Sequence, residues 1–201
     1  MGVALIDYGA GNLRSAARAL EAAGANAVQV TARPEDVRAA GRIVLPGVGS
    51  FGHCVTSLRA IPGMVEALTE SVRQRGIPFL GICVGMQLLA DEGHEYGVHS
   101  GLGWIGGTVE RMQPPGLKVP QIGWNAVLPV RGGLISPGYA YFVHSYVLAA
   151  RDPHDVAATT NYGGAITAAV QRDNILGVQF HPEKSQSYGL DLLARWLAWK
   201  P

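Results

Sequence analysis

The chain has 201 residues and a formal net charge of +1; 48% of its residues are hydrophobic and 15% are charged. This composition excludes a disordered chain, and a near-neutral charge without a basic cluster argues against a nucleic-acid-binding protein. No apolar stretch has the length of a membrane span, and the N-terminus lacks the pattern of a signal peptide. Since Cys54 and Cys83 are the only two cysteines, we expect a soluble, cytoplasmic protein with one domain, residues 1–201.

The first half of the chain predicts strands that alternate with helices. Short apolar runs predict buried strands at residues 3–6, 27–31, 42–45 and 77–80. Helical patterns cover residues 13–23, a short segment from Pro34, residues 54–75 with a break at Pro62-Gly63, and residues 86–90. Repetition of strand, turn and helix is typical of a parallel sheet covered on both faces, in which ligands bind at the carboxyl ends of the strands.

After about Gly97 the pattern changes to strands separated by Gly, Pro and Asn turns. The predicted strands are residues 104–112, 124–128, 139–148, 156–160, 166–171 and 175–180. An amphipathic helix over residues 190–199 closes the chain. The predicted fold is therefore a single α/β domain with a mostly parallel central sheet, flanking helices and a β-rich second half.

A glycine-flanked cysteine follows one of the predicted buried strands, in the segment Gly81-Ile82-Cys83-Val84-Gly85. This is the sulfur version of the nucleophile elbow, a sharp strand-to-helix turn that glycines on both sides permit. At the N-terminus of the following helix, the Cys83 thiolate would be favoured over the thiol. A single cysteine in an apolar run is more often a small core residue, which is the default for Cys54.

A histidine and a carboxylate close another apolar run about a hundred residues later, in His181-Pro182-Glu183. Strand alternation predicts that the side chains of His181 and Glu183 share one face, where the carboxylate would orient the imidazole. The tripeptide alone would also suit a surface turn. Taken together with Cys83, it predicts covalent catalysis by cysteine.

Two other motifs do not support cofactor or metal binding. Gly9-Ala10-Gly11 follows a predicted strand, but Arg14 occupies the third glycine position of a dinucleotide fingerprint and no acidic residue ends the second strand. His53 and Cys54 are adjacent, whereas His94 and His99 lie in a glycine-rich loop, so no cluster has zinc spacing. We therefore expect neither a cofactor nor a metal.

These motifs identify a resemblance to the class I glutamine amidotransferases, which have a flavodoxin-like fold and a Cys-His-Glu triad. The resemblance runs nearly from end to end, and its elbow and His-Pro-Glu motifs are shared by the whole class. Further motifs resemble the glutaminase subunits that serve histidine biosynthesis: Asp7-Tyr8-Gly9, Pro46-Gly47-Val48-Gly49, Ile122-Gly123-Trp124-Asn125, and Tyr141 to Tyr146. The implied reaction is hydrolysis of glutamine to glutamate and ammonia by Cys83, His181 and Glu183.

The resemblance also implies roles for residues outside the triad. Backbone N–H groups of Val48 and Val84 would form the oxyanion hole. The substrate glutamine would be held by Gly49, Gln87, His144, Ser145 and Tyr146. The implied partner is a (β/α)₈-barrel cyclase subunit in a heterodimer, with a docking face made of Asn12, Arg14, Gln121, Trp124, Tyr141 and Lys184. From the sequence alone Gln87 suits a polar helix position and His144 a strand, and Trp124 suits a core position as well as an interface anchor.

Three alternatives stay open at this point. The chain could be the glutaminase subunit of another pathway, although its Pro-Gly-Val-Gly and Trp124 motifs argue against that. A stand-alone thiol hydrolase of γ-glutamyl compounds would be active without a partner. A non-catalytic module would lack a triad residue, and none is missing. We expect the chain alone to be nearly inactive until a liganded partner stabilises the productive orientation of the Val48 peptide.

Overall fold

A computed structural model describes residues 2–201 of the chain. Its strands are β1 (Val3–Ile6), β2 (Val28–Thr31), β3 (Arg42–Leu45), β4 (Phe79–Ile82), β5 (Glu92–Gly93), β6 (His99–Ser100), β7 (Gly107–Arg111), β8 (Gln121–Pro129), β9 (Gly138–His144), β10 (Tyr146–Ala150), β11 (Val156–Asn161), β12 (Ala165–Arg172) and β13 (Ile175–Val178). Its α-helices are α1 (Leu13–Ala22), α2 (Pro34–Ala39), α3 (Phe51–Arg59), α4 (Met64–Thr69), α5 (Val84–Gln87) and α6 (Gln186–Ala198). A π-helical turn, Glu70–Gln74, extends α4, and 3₁₀ turns cover Pro153–Asp155 and Pro182–Lys184.

Within residues 2–201 the strands form a nine-stranded sheet, in the order β2-β1-β3-β4-β13-β12-β11-β8-β9, and a four-stranded sheet, β10-β7-β5-β6. The first five strands of the large sheet are parallel. Every residue of β1, β4 and β13 is buried, as expected for parallel strands covered on both faces. Strands β4 and β13 are neighbours, so the segments that follow them emerge side by side at one edge of the sheet.

The other four strands of the large sheet, β12, β11, β8 and β9, are antiparallel. The last two, β8 and β9, form a two-stranded ribbon at the end of the sheet. The outer face of this ribbon exposes large apolar side chains: Ile122 is 62% exposed, Trp124 46% and Tyr139 65%. We call these three residues the ribbon face. Since β9 ends the strand order, the ribbon face lies at the edge of the sheet.

The predicted fold class is confirmed, and most predicted elements of the first half agree with the structure within two residues. The strand predicted over residues 139–148 is divided into two strands. The β conformation is interrupted at Ser145, so that β9 belongs to the large sheet and β10 to the small one. The helix predicted over residues 86–90 begins earlier, at Val84, directly after the elbow cysteine. Within the described part of the chain, none of the helices combines the length and the apolar composition needed to cross a bilayer.

Candidate functional site

The elbow cysteine stands between β4 and α5 in a backbone conformation that side chains rarely adopt. Cys83 has φ of 54° and ψ of −110° and is the N-cap residue of α5. The turn is tight enough that a Cβ atom on Gly81 would lie 2.6 Å from the carbonyl oxygen of Gly85. The flanking glycines therefore permit this close approach, and the strained backbone is typical of a functional position.

The imidazole and its carboxylate follow β13, the strand next to β4. His181 Nδ1 lies 2.8 Å from Glu183 Oε1, and both side chains are almost fully buried. The sequence predicts that His181 and Glu183 lie together, but the prediction that they belong to a strand is wrong. β13 ends at Val178, and the 3₁₀ turn Pro182–Lys184 brings the two side chains together, not the alternation of a strand.

Cys83, His181 and Glu183 interact as one charged group. Burial opposes the charged form of the imidazole, but hydrogen bonds and charge interactions with Cys83 and Glu183 outweigh it and raise the pKa of His181 to about 10. The imidazole of His181 therefore keeps its proton at neutral pH, and a cation beside a cysteine sulfur favours the thiolate form of cysteine. Because a thiolate is the nucleophilic form of cysteine, the group is prepared for attack on an electrophilic carbon.

The loop after β3, Pro46 to Gly49, lies against the elbow. Val84 N–H donates a hydrogen bond of 3.4 Å to the carbonyl oxygen of Gly47. In a trans peptide the N–H and C=O bonds point in opposite directions, so the Val48 N–H is directed away from the Val84 N–H. The predicted oxyanion donors, Val48 and Val84, therefore do not converge in this conformation.

The carbonyl groups on either side of that peptide are also held. Tyr8 Oη donates to the carbonyl oxygen of Pro46 at 2.6 Å, and Cys54 Sγ lies 3.4 Å from the carbonyl oxygen of Val48. Tyr8 and Cys54 are both buried, and burial raises the pKa of Cys54 to about 11. Cys54 is thus a neutral thiol donor that fixes the loop.

A cavity of about 290 Å³ opens above the triad. It is lined by Val48, Gly49, Cys83, Val84, Gln87, Glu95, Pro120, Val143, His144, Ser145, Tyr146, His181 and Lys184. The five residues predicted to bind glutamine are all among them. They come from three separate regions of the sequence, so the fold brings them together around the nucleophile.

Two of these lining side chains share one backbone acceptor. Gln87 Nε2 and His144 Nδ1 each lie 2.9 Å from the carbonyl oxygen of Tyr146. A carbonyl only accepts, so His144 carries its proton on Nδ1. Burial lowers the pKa of His144 to about 4, which keeps this imidazole neutral beside the nucleophile.

The sequence motifs predict no role for two side chains at this site. Glu95 lines the cavity, and its Oε2 accepts a hydrogen bond of 2.8 Å from Phe51 N–H at the start of α3. Gln179 is fully buried and lies between Gln87 and Cys83. Its position two residues before His181 was the available signal, whereas a loop residue such as Glu95 offers none.

Three predicted docking residues form a row that ends at the cavity. The rings of Trp124 and Tyr141 meet edge to face with centroids 6.1 Å apart, and Lys184 Nζ lies 5.9 Å from the centroid of Tyr141. Trp124 is half exposed, so it is not a core residue. On α1, Asn12 and Arg14 are exposed, and Asn12 caps the helix by accepting from Ser15 N–H.

Gln121 does not belong to this row. It is fully buried, so its prediction as a docking residue is wrong. Gln121 is directly opposite His144 in the β8–β9 ladder, and opposite residues point to the same side of a sheet. Its side chain therefore faces the interior, and in residues 2–201 neither its amide nor His144 Nε2 has a hydrogen-bond partner.

A ring of hydrogen bonds joins the docking row to the catalytic histidine. His181 N–H donates to the Tyr141 carbonyl at 3.0 Å, Tyr141 N–H donates to Ser185 Oγ at 3.0 Å, and Ser185 Oγ donates to the His181 carbonyl at 2.7 Å. These hydrogen bonds tie β9 to the turn that carries His181 and Glu183. In residues 2–201, no group of three or more His, Cys, Asp or Glu side chains could hold a metal ion.

The chain is similar to known proteins in both sequence and structure. The family model "Glutamine amidotransferase class-I" matches residues 4–198. Among similar sequences, the "Imidazole glycerol phosphate synthase subunit HisH" of Zymomonas mobilis is 58% identical, covering 99% of this chain and 96% of that protein. The protein of the same name from Agrobacterium fabrum is 54% identical over the whole of both chains. A solved structure described as "glutamine amidotransferase" has a TM-score of 0.77 at 21% identity, covering 98% of each chain, which reflects the fold alone.

Proposed function

This chain belongs to the class I glutamine amidotransferases, and we propose that it is the glutaminase subunit of an imidazole glycerol phosphate synthase, which serves histidine biosynthesis. In that role it hydrolyses L-glutamine to L-glutamate and ammonia. The observation that carries this proposal is a cavity lined by Cys83 and His181, with the buried Glu183 carboxylate paired to the imidazole, in a chain 58% identical to a protein of that name. No cofactor is needed, because the thiolate and the imidazolium supply the nucleophile and the acid.

In the first half of the reaction, the Cys83 thiolate attacks the side-chain amide carbon of glutamine. The carbonyl π electrons move to oxygen and give a tetrahedral oxyanion. His181 then donates its proton to the amide nitrogen, the C–N bond breaks, and ammonia leaves. Glu183 keeps the imidazole oriented through its hydrogen bond to Nδ1, so that the opposite nitrogen faces the sulfur.

In the second half, water replaces ammonia at the thioester. His181, now neutral, takes a proton from water as the oxygen attacks the acyl carbon. Collapse of the second tetrahedral intermediate breaks the C–S bond, releases glutamate and restores the thiolate–imidazolium pair. We infer that the Val84 N–H and the Val48 N–H stabilise both oxyanions after the Gly47–Val48 peptide has turned over.

The cavity suits glutamine better than a larger or purely apolar ligand. It offers a carboxylate at Glu95 for an ammonium group and an ammonium at Lys184 near its rim for a carboxylate. We propose that Gly49, Gln87, His144, Ser145 and Tyr146 complete the binding site. Gln87 uses its amide nitrogen within the protein, which leaves its oxygen to accept from the substrate amide.

Ammonia released in the open would be protonated in water and lose its nucleophilicity, so a partner that receives it is part of the proposal. We propose a (β/α)₈-barrel cyclase subunit, docked on Trp124, Tyr141 and Lys184 with Asn12 and Arg14 at the margin. In that complex ammonia would react with a phosphoribulosyl formimino aminoimidazole ribonucleotide to give imidazole glycerol phosphate and an aminoimidazole carboxamide ribonucleotide. Both cysteines are unpaired, which fits a cytoplasmic location.

The test is glutamate release from glutamine by the purified chain, alone and with the cyclase subunit and its nucleotide substrate. We expect a rate in the complex roughly 10²–10³-fold above that of the chain alone, the usual effect of one oxyanion donor. The Cys83→Ala variant should be inactive in both conditions while it remains folded. Equal rates with and without the partner would instead identify a stand-alone γ-glutamyl hydrolase, and a fully active Cys83→Ala variant would refute the triad.

A further inference from the structure

Gln179 is a buried polar residue that touches the nucleophile and has no assigned role. Its side chain is fully buried, and Nε2 lies 3.6 Å from Cys83 Sγ, within hydrogen-bond distance for sulfur. Its Oε1 accepts a hydrogen bond of 3.0 Å from Gln87 Nε2. A buried amide that served packing alone would be an expensive choice, because polar groups removed from water need partners.

The direction of these hydrogen bonds is fixed by a backbone group. The Tyr146 carbonyl can only accept, so the Gln87 atom beside it, at 2.9 Å, must be the amide nitrogen. That same nitrogen lies beside Gln179, so the Gln179 atom that meets it must be the oxygen. The remaining end of the Gln179 amide, which faces Cys83, is therefore the NH₂ group.

We propose that Gln179 is a catalytic residue, whose amide N–H donates to the sulfur of Cys83 and stabilises its thiolate. A donor favours the negatively charged form of its acceptor, so Gln179 acts on the sulfur in the same sense as His181. The thiolate is thus held from two sides, by a cation and by a neutral donor. Gln87 and Tyr146 prevent the amide from turning its oxygen toward the sulfur.

In this arrangement Gln87 also fixes the orientation of the Gln179 amide. Both hydrogens of its amide are used within the protein, one on Tyr146 and one on Gln179. A substrate that binds at Gln87 is therefore two hydrogen bonds away from the nucleophile. Gln179 deepens the proposed function, since it concerns the nucleophile of the same glutaminase reaction.

The test measures the thiol directly and does not require glutaminase activity. Iodoacetamide alkylates a thiolate by displacement of iodide, so its rate as a function of pH reports the thiolate fraction of Cys83, and peptide mass mapping separates Cys83 from Cys54. Gln179→Glu keeps an acceptor for Gln87 but removes the donor to sulfur, and its carboxylate would by itself disfavour the thiolate, so the decisive variant is the neutral Gln179→Met. Gln179→Met removes both, and Gln74→Glu, at an exposed position, controls for the added charge.

We expect both Gln179 variants to be alkylated at pH 7 about tenfold or more slower than the wild type, because a charge-assisted hydrogen bond is lost. At alkaline pH, once the Cys83 thiol is fully ionised in the wild type and in both variants, the rates should converge. A merely structural role would lower the rate at every pH or not at all. Unchanged alkylation in Gln179→Met with native circular dichroism would overturn the proposal, whether or not the chain proves to be a glutaminase.

Discussion

The carbonyl oxygen of Gly47 accepts a hydrogen bond from the backbone N–H of Val84, the donor that directly follows the nucleophile. The hydrogen bond is 3.4 Å long, so it is a weak one. Rotation of one peptide unit, Gly47–Val48, would convert this conformation into one in which the N–H groups of Val48 and Val84 converge. Tyr8 and Cys54 hold the neighbouring carbonyls of Pro46 and Val48, which confines the change to that one peptide.

A side chain at Gly47 should disturb this arrangement. A Cβ atom there would lie 2.6 Å from Gly85 N and 2.9 Å from Tyr8 Oη, so the loop or the elbow must shift. We expect Gly47→Ala to abolish glutaminase activity and to lower the free energy of unfolding by about 1–3 kcal/mol. Urea denaturation and glutamate release measure the two effects. Gly132→Ala, with open space around its Cβ, is the control and should change neither; equal behaviour of the two variants would refute the steric argument.

Loss of the Glu183 charge should change the pH dependence of stability. The pKa of His181 is raised to about 10 in the folded protein, so its contribution to stability is complete below its ordinary pKa of about 6.5 and is lost as the pH rises toward 10. In Glu183→Gln we expect a smaller fall in stability between pH 6.5 and 10, and an alkaline limb of the activity profile at lower pH. Urea titrations at several pH values measure the slope. Glu21→Gln, on an exposed part of α1, should retain the wild-type slope, and an identical slope in Glu183→Gln would contradict the assignment.

His144 has the opposite effect on acid stability. Burial lowers its pKa to about 4, so the unfolded chain binds a proton at a pH where the folded chain does not. Stability should therefore fall as the pH drops from about 6.5 to 4. His144→Asn, which retains a donor for the Tyr146 carbonyl, should lose part of this fall and raise KM for glutamine. Thermal unfolding at pH 7 and 4.5 makes the comparison. The control is His154→Asn, at a side chain 90% exposed, which should lose as much stability on acidification as the wild type. The same loss in His144→Asn would disprove the prediction.

The hydrogen-bond ring at Ser185 should matter more for turnover than for substrate binding. Ser185→Ala leaves the Tyr141 N–H and the His181 carbonyl each without a side-chain partner, at a cost of about 1–3 kcal/mol if they stay buried. Because Ser185 supports the catalytic His181 and contacts none of the residues proposed to bind glutamine, we expect kcat to fall more than KM rises. Steady-state kinetics in the complex provide the measurement, with Ser187→Ala as the exposed control. A pure KM effect would place Ser185 in substrate binding.

Trp124 should be the main anchor for the partner. It is half exposed and supported by Tyr141, and aromatic anchors of this kind dominate interface energies. We expect Trp124→Ala to raise the Kd for the cyclase subunit by about tenfold or more. Titration calorimetry gives the Kd directly. Val30→Ala, exposed on β2 at the opposite edge of the sheet, should bind normally, and a normal Kd for Trp124→Ala would exclude Trp124 as the anchor of the docking site.

The parallel half of the fold agrees well with the sequence prediction, because short apolar runs such as those of Val3–Ile6 and Arg42–Leu45 are typical of buried parallel strands. The prediction failed at Ser145, where one continuous β pattern divides between two sheets, since sheet membership depends on contacts far along the chain. Cys83 and His181 were recognisable from local motifs. Glu95 and the role of Gln179 were not, because each acts only through neighbours that are distant in sequence.

The ribbon face has a consequence for how the protein is produced. Three large apolar side chains lie on strands at the edge of the sheet, and exposed edges with apolar surface promote self-association. A cell that made this chain in excess of its partner would accumulate an aggregation-prone subunit. Matched synthesis of the two chains, or coexpression in a recombinant host, would keep the ribbon face covered from the moment it folds.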